Sequence, residues 1–87
     1  MKLIVLYHPH SESARIIEEY VADIQSRRPV KADLVSLETR EGADLASLYD
    51  IVRYPAILVT DDVGHPVKDW QGDQLPLRDE VLGYVDS

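Results

Sequence analysis

The chain has 87 residues, the length of one domain, and 45% of them are hydrophobic. A chain of this length can bury roughly 60–65% of its unfolded surface and fold without disulfides or metal ions. Sixteen acidic residues against nine basic ones give a formal net charge of -7. Because this charge opposes binding to nucleic-acid backbones and anionic lipids, we expect no nucleic acid and no membrane as a partner.

The start of the chain shows no pattern typical of a signal or membrane-spanning segment. The apolar run after Lys2 has only five residues, too few for a secretory signal or a transmembrane helix. We therefore expect a cytoplasmic protein. The chain contains no cysteine, which does not by itself identify the redox compartment.

Hydrophobic patterning of the first half predicts a strand, a helix and a second strand. Residues 3–7 form a continuous apolar run, as in a strand buried on both faces, and Pro9 ends it. Residues 11–27 repeat apolar side chains every three or four positions, which predicts a helix that Pro29 ends. Its apolar stripe consists of Ala14, Ile16, Ile17, Tyr20, Val21 and Ile24. Residues 32–37 predict a less regular strand.

The second half predicts a helix, a hairpin and a closing helix. We interpret residues 40–42 as a loop and residues 45–52 as a short helix, from their apolar spacing. Residues 56–60 and 67–71 predict antiparallel strands joined by a connection of hairpin length that contains glycine. Residues 77–85 predict a helix with a proline near its first turn, where a missing N–H costs nothing.

The predicted order β-α-β-α-β-β-α defines the fold class. Strands joined by helices are expected to run parallel through right-handed crossovers, while the final hairpin adds antiparallel strands. The sequence therefore predicts a single α/β domain over residues 1–87, with a four-stranded mixed sheet flanked by helices.

Two short motifs connect this order to a known family. Residues 49–56, Tyr-Asp-Ile-Val-Arg-Tyr-Pro-Ala, resemble the thioredoxin pattern Tyr-x-Ile-x-x-apolar-Pro-Thr. Residues 70–72, Trp-Gln-Gly, resemble the aromatic-x-Gly that closes the last strand in many thioredoxins. With the order and spacing of the elements, the chain resembles a divergent member of the thioredoxin-like superfamily, which includes glutaredoxins. The resemblance covers essentially the whole chain and implies a cis peptide bond at Tyr54-Pro55.

Thioredoxins carry a reactive Cys-x-x-Cys at the start of their first helix, and this chain does not. Aligning the family's buried helix positions with the apolar stripe places Ser11 at the first cysteine and Ala14 at the second. The alternative register, His10 and Ser13, breaks that pattern. A hydroxyl and a methyl group cannot attack or leave as thiolates do. The resemblance therefore implies the fold without the oxidoreductase activity.

Ser11 has two interpretations. The preferred one is that it caps the first helix, since serine is favoured at N-caps and Glu12 would lie near the positive end of the helix dipole. In the alternative, Ser11 replaces cysteine as in some glutathione transferases and donates a hydrogen bond to a small thiolate. The acid-plus-serine element with which those enzymes hold glutathione is not evident near residues 72–74.

A metal site and a cofactor are not expected. His8 and His10 flank Pro9, but zinc needs three or four ligands. We place His65 at the far end of the third strand, about 20 Å from the proline end at ~3.3 Å per residue. At most two histidines then lie close together.

We predict different roles for the two aromatic residues in these motifs, Trp70 and Tyr54. For Trp70 we favour packing against the core. In the family, the residue at Tyr54 faces a bound peptide, whose backbone pairs there as an added strand.

We therefore predict a redox-inactive protein- or peptide-binding module, not a dithiol–disulfide oxidoreductase, and we call its candidate surface the Pro55 face. This face consists of Tyr7, His8, Pro9, His10, Ser11, Tyr54, Pro55 and Gly72. A small-thiol enzyme using Ser11, or a scaffold or oligomer subunit, are the alternatives. The sequence leaves the oligomeric state open.

Overall fold

The structure is a computed structural model and describes residues 1–85. Its elements, in chain order, are β1 (Lys2–Tyr7), α1 (Ala14–Arg27), β2 (Ala32–Ser36), α2 (Arg40–Leu48), β3 (Ala56–Thr60), β4 (Pro66–Gln71) and α3 (Arg78–Val85). This is the predicted order, and the α/β fold class is confirmed. Within the described range, the structure contains no helix with the length and apolar character needed to cross a membrane.

The four strands form one mixed sheet in the order β2-β1-β3-β4. β1 runs parallel to β2, as predicted, and β3 and β4 form the predicted antiparallel hairpin. The expectation that α2 joins parallel strands is wrong, because β3 runs antiparallel to β1. β2 ends where Ser36 pairs with Tyr7, and β3 begins where Ala56 pairs with Leu6. The connection through α2 thus returns the chain to the end of the sheet that it left, which reverses the direction of β3.

Two apolar clusters cover the two faces of the sheet. α1 and α3 pack on one face, in a cluster that includes Leu3, Val5, Ile17, Tyr20, Ile24, Ile57, Val59 and Val81. α2 packs on the other face, in a smaller cluster of Leu6, Val35, Ala46, Ile51 and Ala56. Alternate residues of β1 and β3 supply the two clusters, since successive strand side chains point to opposite faces. The burial of this apolar surface is the main stabilising contribution to the fold.

The helix α1 begins at Ala14, three residues later than the sequence indicated. Residues 8–13 form turns instead, with the Ser11 N–H donating to the His8 carbonyl at 3.0 Å. Ile16, predicted in the buried stripe, is 59% exposed. It lies in the first turn of the helix, where α1 borders an open pocket.

The helix α2 begins at Arg40, so the predicted loop over residues 40–42 is wrong. The Thr39 hydroxyl caps it by accepting from the Gly42 N–H at 3.1 Å. Gly42 does not break the helix, because it meets a packing need: a Cβ there would collide with the carbonyl of Ser36.

At its other end α2 stops at Leu48 rather than Val52, and the side chain of Val52 is exposed. The backbone of Asp50 adopts a positive φ of 59°, which takes the chain out of the helical conformation.

The phenol of Tyr20 connects α1 to the segment before α3. Its hydroxyl donates to the carbonyl oxygen of Pro76 at 2.8 Å, and the guanidinium of Arg78 lies 5.0 Å from the centre of its ring. Burial raises the pKa of Tyr20 to about 12, an effect that the charge of Arg78 partly opposes.

We expect Tyr20→Phe to lower the free energy of unfolding by about 1 kcal/mol, because it leaves the Pro76 carbonyl without its donor. Urea denaturation measures this change. Tyr7→Phe is the matched control, since Tyr7 packs against the same cluster but its hydroxyl makes no hydrogen bond within residues 1–85. Equal effects of the two substitutions would contradict a role for the hydrogen bond.

The stability difference between the wild type and Tyr20→Phe is expected to depend on pH. The folded-state pKa of about 12 lies above the value of about 10 for an unperturbed tyrosine. A group of this kind contributes stability in full below its unfolded pKa and loses it as the pH rises through the folded pKa. The stability difference between wild type and Tyr20→Phe should therefore be constant below about pH 10 and shrink towards about pH 12. Denaturation at a series of pH values tests this, and a constant difference throughout would contradict it.

Candidate functional site

The loop between β1 and α1 is closed by Ser11. Its hydroxyl donates to the His8 carbonyl at 2.7 Å and lies 3.1 Å from the hydroxyl of Ser13. Its own carbonyl accepts from the Ala14 N–H at 3.2 Å. Ser11 is therefore not the N-cap of α1, and the preferred interpretation from the sequence is wrong. The N-cap position is Ser13, whose side chain makes no cap hydrogen bond, because the turn at Ser11 moves the helix start along the chain.

The segment before β3 is fixed by the end of β4. The Gln71 side-chain oxygen accepts from the N–H groups of Val52, at 2.9 Å, and Arg53, at 3.1 Å. The Gly72 N–H donates to the Pro55 carbonyl at 3.0 Å. These three bonds hold both ends of the turn that presents Tyr54.

Tyr54 itself lies between this turn and the loop after β1. The Tyr54-Pro55 peptide bond is cis. The Tyr54 hydroxyl donates to the Ile51 carbonyl at 3.1 Å, and its ring meets that of His8 edge-on at 5.7 Å. Within residues 1–85, neither the N–H nor the carbonyl of Tyr54 makes a hydrogen bond. Both backbone groups are available to a ligand.

A pocket of about 450 Å³ opens between the start of α1 and Pro55. Its apolar lining comes from Ile16, Ile17, Pro55 and Leu75, and its polar lining includes Ser11, Glu12 and Asp73. No lysine, arginine or histidine of the described chain lines it. Neither carboxylate forms an ion pair with another described residue, so the pocket is apolar with an uncompensated negative charge.

The structure brings together only part of the predicted Pro55 face. Ser11 and Pro55 line the pocket, and His8 and Tyr54 lie beside it. The other four predicted residues contribute differently.

Tyr7 packs against the α1 side of the core, and Gly72 is buried, so it acts through its backbone N–H. Pro9 is half-buried in the loop after β1. The ring of His10 lies 3.7 Å from the carboxylate of Glu38, and both side chains are largely exposed.

Sequence reasoning missed the residues that give the pocket its chemistry. Ile16, interpreted as core, is its exposed apolar edge, and Leu75 and Asp73 come from the segment after β4. The position of Asp73 directly after the Trp-Gln-Gly motif was the one available signal.

Two other predicted features take ordinary structural roles. Trp70 is half-buried against the α1 side of the core and meets Tyr84 edge-on at 5.5 Å, which confirms core packing. His65 lies in the β3–β4 turn, 3.2 Å from the Asp61 carboxylate. The backbone N–H of His65 holds the pKa of that carboxyl below its usual value. No group of three histidine, aspartate or glutamate side chains suited to a metal ion occurs in the described part of the chain.

No family model matches the sequence, and no curated protein sequence matches it. Solved structures do match. Thioredoxin 1 of Thermosipho africanus TCF52B is 10% identical, with 99% of this chain and 91% of that chain covered and a TM-score of 0.73. Thioredoxin O2 of Arabidopsis thaliana is 9% identical, with coverage of 98% and 71% and a TM-score of 0.74. Mitochondrial thioredoxin 3 of Saccharomyces cerevisiae is 13% identical, with coverage of 97% and 74% and a TM-score of 0.73.

These similarities show that the fold is thioredoxin-like. At such low identities they show the fold alone. The sequence contains no cysteine, so the domain has no thiol with which to exchange disulfides.

We expect Gln71→Ala to loosen the turn before Pro55 without unfolding the domain. Removing one acceptor leaves two N–H groups unpaired and lowers the free energy of local opening by about 1 kcal/mol. This change corresponds to about fivefold faster amide exchange at Val52 and Arg53. Hydrogen exchange followed by NMR measures this. Gln74→Ala is the matched control, since Gln74 is exposed and makes no hydrogen bond in the described structure. Unchanged exchange in Gln71→Ala would show that Gln71 does not hold the turn.

The assignment of Ser11 and Ala14 to the cysteine positions can be tested by restoring thiols. A hydrogen-bonded turn joins residues 11 and 14, which brings their Cα atoms within about 7 Å, near the range that a disulfide spans. We expect Ser11→Cys/Ala14→Cys to form an intramolecular disulfide under mild oxidant, detected by mass and thiol titration. His10→Cys/Ser13→Cys is the control. A disulfide in the control pair and none in the first would place the cysteine positions one residue earlier.

Proposed function

We propose that this domain binds an extended protein or peptide segment across the Pro55 face and carries out no redox chemistry. One observation supports this most directly: an apolar pocket lies beside the unpaired backbone groups of Tyr54. Unpaired backbone N–H and carbonyl groups beside a side-chain pocket are the two features with which domains bind extended peptides. The backbone supplies affinity and the pocket supplies specificity.

The peptide backbone pairs with the N–H and carbonyl of Tyr54. One of its side chains then enters the pocket and covers Ile16, Pro55 and Leu75. Ile16 is 59% exposed without a ligand, so covering it removes apolar surface from water. A leucine, methionine or aromatic side chain fits a pocket of about 450 Å³.

We call the peptide side chain that enters the pocket the apolar anchor. The negative charge of the pocket favours a particular type of residue next to this anchor in the peptide. Glu12 and Asp73 have no counter-charge among the described residues, and the whole chain carries -7. A lysine or arginine next to the anchor supplies that counter-charge and raises the rate of association. The proposed ligand is therefore a segment with an apolar anchor followed or preceded by a basic residue.

The small-thiol alternative is less well supported. The Ser11 hydroxyl already donates its proton to the His8 carbonyl at 2.7 Å, so it has no free proton for a ligand thiolate. Glu12 and Asp73 would also repel that thiolate.

The proposal is tested by selecting peptides from a random display library on the immobilised domain and synthesising the strongest binder. We expect this peptide to shift the amide signals of Glu12, Ile16, Tyr54 and Asp73 with saturation. Ile16→Asp should weaken binding about tenfold or more, since it places a charge in the apolar contact. Val63→Asp is the matched control, because Val63 is 78% exposed in the β3–β4 turn at the opposite end of the sheet.

Three results would overturn the proposal. Binding that maps to another surface would exclude the Pro55 face. Failure to select any peptide would favour the scaffold interpretation. Saturable shifts at Ser11 and Tyr54 with millimolar glutathione would favour the small-thiol enzyme.

A further inference from the structure

The two edges of the sheet differ in how they are protected. β4 carries Pro66, which has no N–H, and the charged residues Lys68 and Asp69, and its pairing with β3 is irregular at Thr60. Such features prevent the addition of another strand. β2, with the sequence Ala-Asp-Leu-Val-Ser, has no proline, carries one charged residue, Asp33, and pairs regularly with β1. Of the two edges of the described sheet, the β2 edge is the less protected against an added strand.

The backbone of β2 leaves hydrogen-bonding groups at this edge. The Lys31 carbonyl accepts from Leu3 at 3.1 Å, and the Leu37 N–H donates to Tyr7 at 2.9 Å. In a parallel pair, alternate residues of a strand bond to the same neighbour. The odd-numbered residues of β2 are therefore the ones that hydrogen-bond to β1. Ala32 and Leu34 direct their N–H and carbonyl groups to the other side of the strand, away from the sheet.

A groove lies beside this edge, on the α2 face of the sheet. It measures about 380 Å³, is lined by residues 32–35 of β2 together with Ile4, Glu41 and Leu45, and is called the β2 groove below. Glu41 and Leu45 also line a second hollow of about 420 Å³ that extends along α2 to Asp44 and Leu48. Ile4, Val35 and Leu45 line the first hollow, Leu45 and Leu48 line the second, and Leu48 is 72% exposed. The apolar surface is thus continuous from the edge of the sheet to α2.

The charges around the β2 groove are predominantly negative. Asp33 and Glu41 line it, Asp44 lines the adjoining hollow, and none of the three forms an ion pair with another described residue. Arg40 is the one basic side chain that lines either hollow within residues 1–85. A ligand that covers the apolar surface therefore meets an excess of carboxylates.

We propose that an extended, basic segment of a partner protein adds to the β2 edge as a fifth strand and lies over the β2 groove. Its backbone bonds to Ala32 and Leu34. On the α2 side, an apolar side chain contacts Ile4, Val35 and Leu45. The flanking lysine or arginine side chains on the same side pair with Asp33 and Glu41.

A second copy of this chain fits the same edge less well. Two β2 strands pairing antiparallel about Leu34 would place Asp33 diagonally opposite its copy on one face, about 7–8 Å away or less. Each copy also carries a net charge of -7. Like charges at this position and over the whole chain favour a basic partner over self-association.

This surface is separate from the Pro55 face. The pocket at Pro55 is lined by Ile16 and Ile17 of α1, whereas the β2 groove is lined by Glu41 and Leu45 of α2, on the other face of the sheet. The two sites can be occupied together, so each can be tested without the other.

The test uses the acetylated, amidated peptide Thr-Lys-Val-Val-Val-Lys-Thr, which presents two lysines and a central valine on one face of a strand. We expect saturable NMR shifts at the amides of Ala32, Leu34 and Ser36 and slower exchange at Leu34. Thr-Glu-Val-Val-Val-Glu-Thr is the control peptide and should not bind. Asp33→Lys and Glu41→Lys should each weaken binding about tenfold, because a favourable charge pair becomes a repulsive one.

Glu18→Lys makes the same change of net charge on an exposed helix face away from the groove and should leave binding unchanged. Equal weakening by Glu18→Lys would indicate attraction by net charge alone and overturn the site. Shifts confined to Tyr54 and Ile16, or no saturation, would also overturn it. A dimer in sedimentation that Asp33→Lys stabilises would assign the edge to a second copy instead.

Discussion

The burial of β3 constrains the rest of the molecule. All five residues from Ala56 to Thr60 are buried, and the strand lies between β1 and β4. Ile57 and Val59 contribute to the cluster under α1 and α3, while Ala56 contributes to the cluster under α2. A strand packed on both faces and paired on both edges cannot shift its register by one residue without exchanging the side chains of its two clusters. β3 therefore fixes the position of the residue that precedes it, Pro55.

The hydrogen bonds at the start of β3 extend this constraint to the turn beside it. Gln71 and Gly72, at the end of β4, bond to Val52, Arg53 and Pro55. Gly72 has a φ of 105°, a conformation that side chains disfavour, and it directs the chain towards the pocket. The segment that follows places Asp73 and Leu75 opposite α1. The Pro55 face is thus rigid on the sheet side and open on the helix side, where Ile16 is exposed.

The sequence predicted the elements more accurately than their ends or the site. Periodicity identified α1 because four of its turns repeat apolar residues, but its start depends on a turn closed by the Ser11 hydroxyl, which periodicity does not record. The loop prediction at Gly42 was wrong for a similar reason. This glycine packs against Ser36, and local sequence patterns do not record such a tertiary contact. The predicted direction of β3 was wrong because the crossover rule assumes that the connection through α2 spans the length of the sheet. Local motifs located Tyr54 and Pro55, whereas the pocket depends on Asp73 and Leu75, which approach α1 only in the folded chain.

The charge of the site is unfavourable for thiol chemistry, in keeping with the absence of cysteine from the sequence. A reactive cysteine needs a low pKa, which positive charges and helix N-termini provide. Here α1 begins at Ala14, three residues beyond Ser11, and the effect of a helix dipole falls off within one turn. Glu12 and Asp73 would raise the pKa of a thiol at this position, because like charges disfavour a thiolate. The same two carboxylates that disfavour a nucleophilic thiolate favour a cationic ligand, which supports the proposal that this pocket recognises a basic segment.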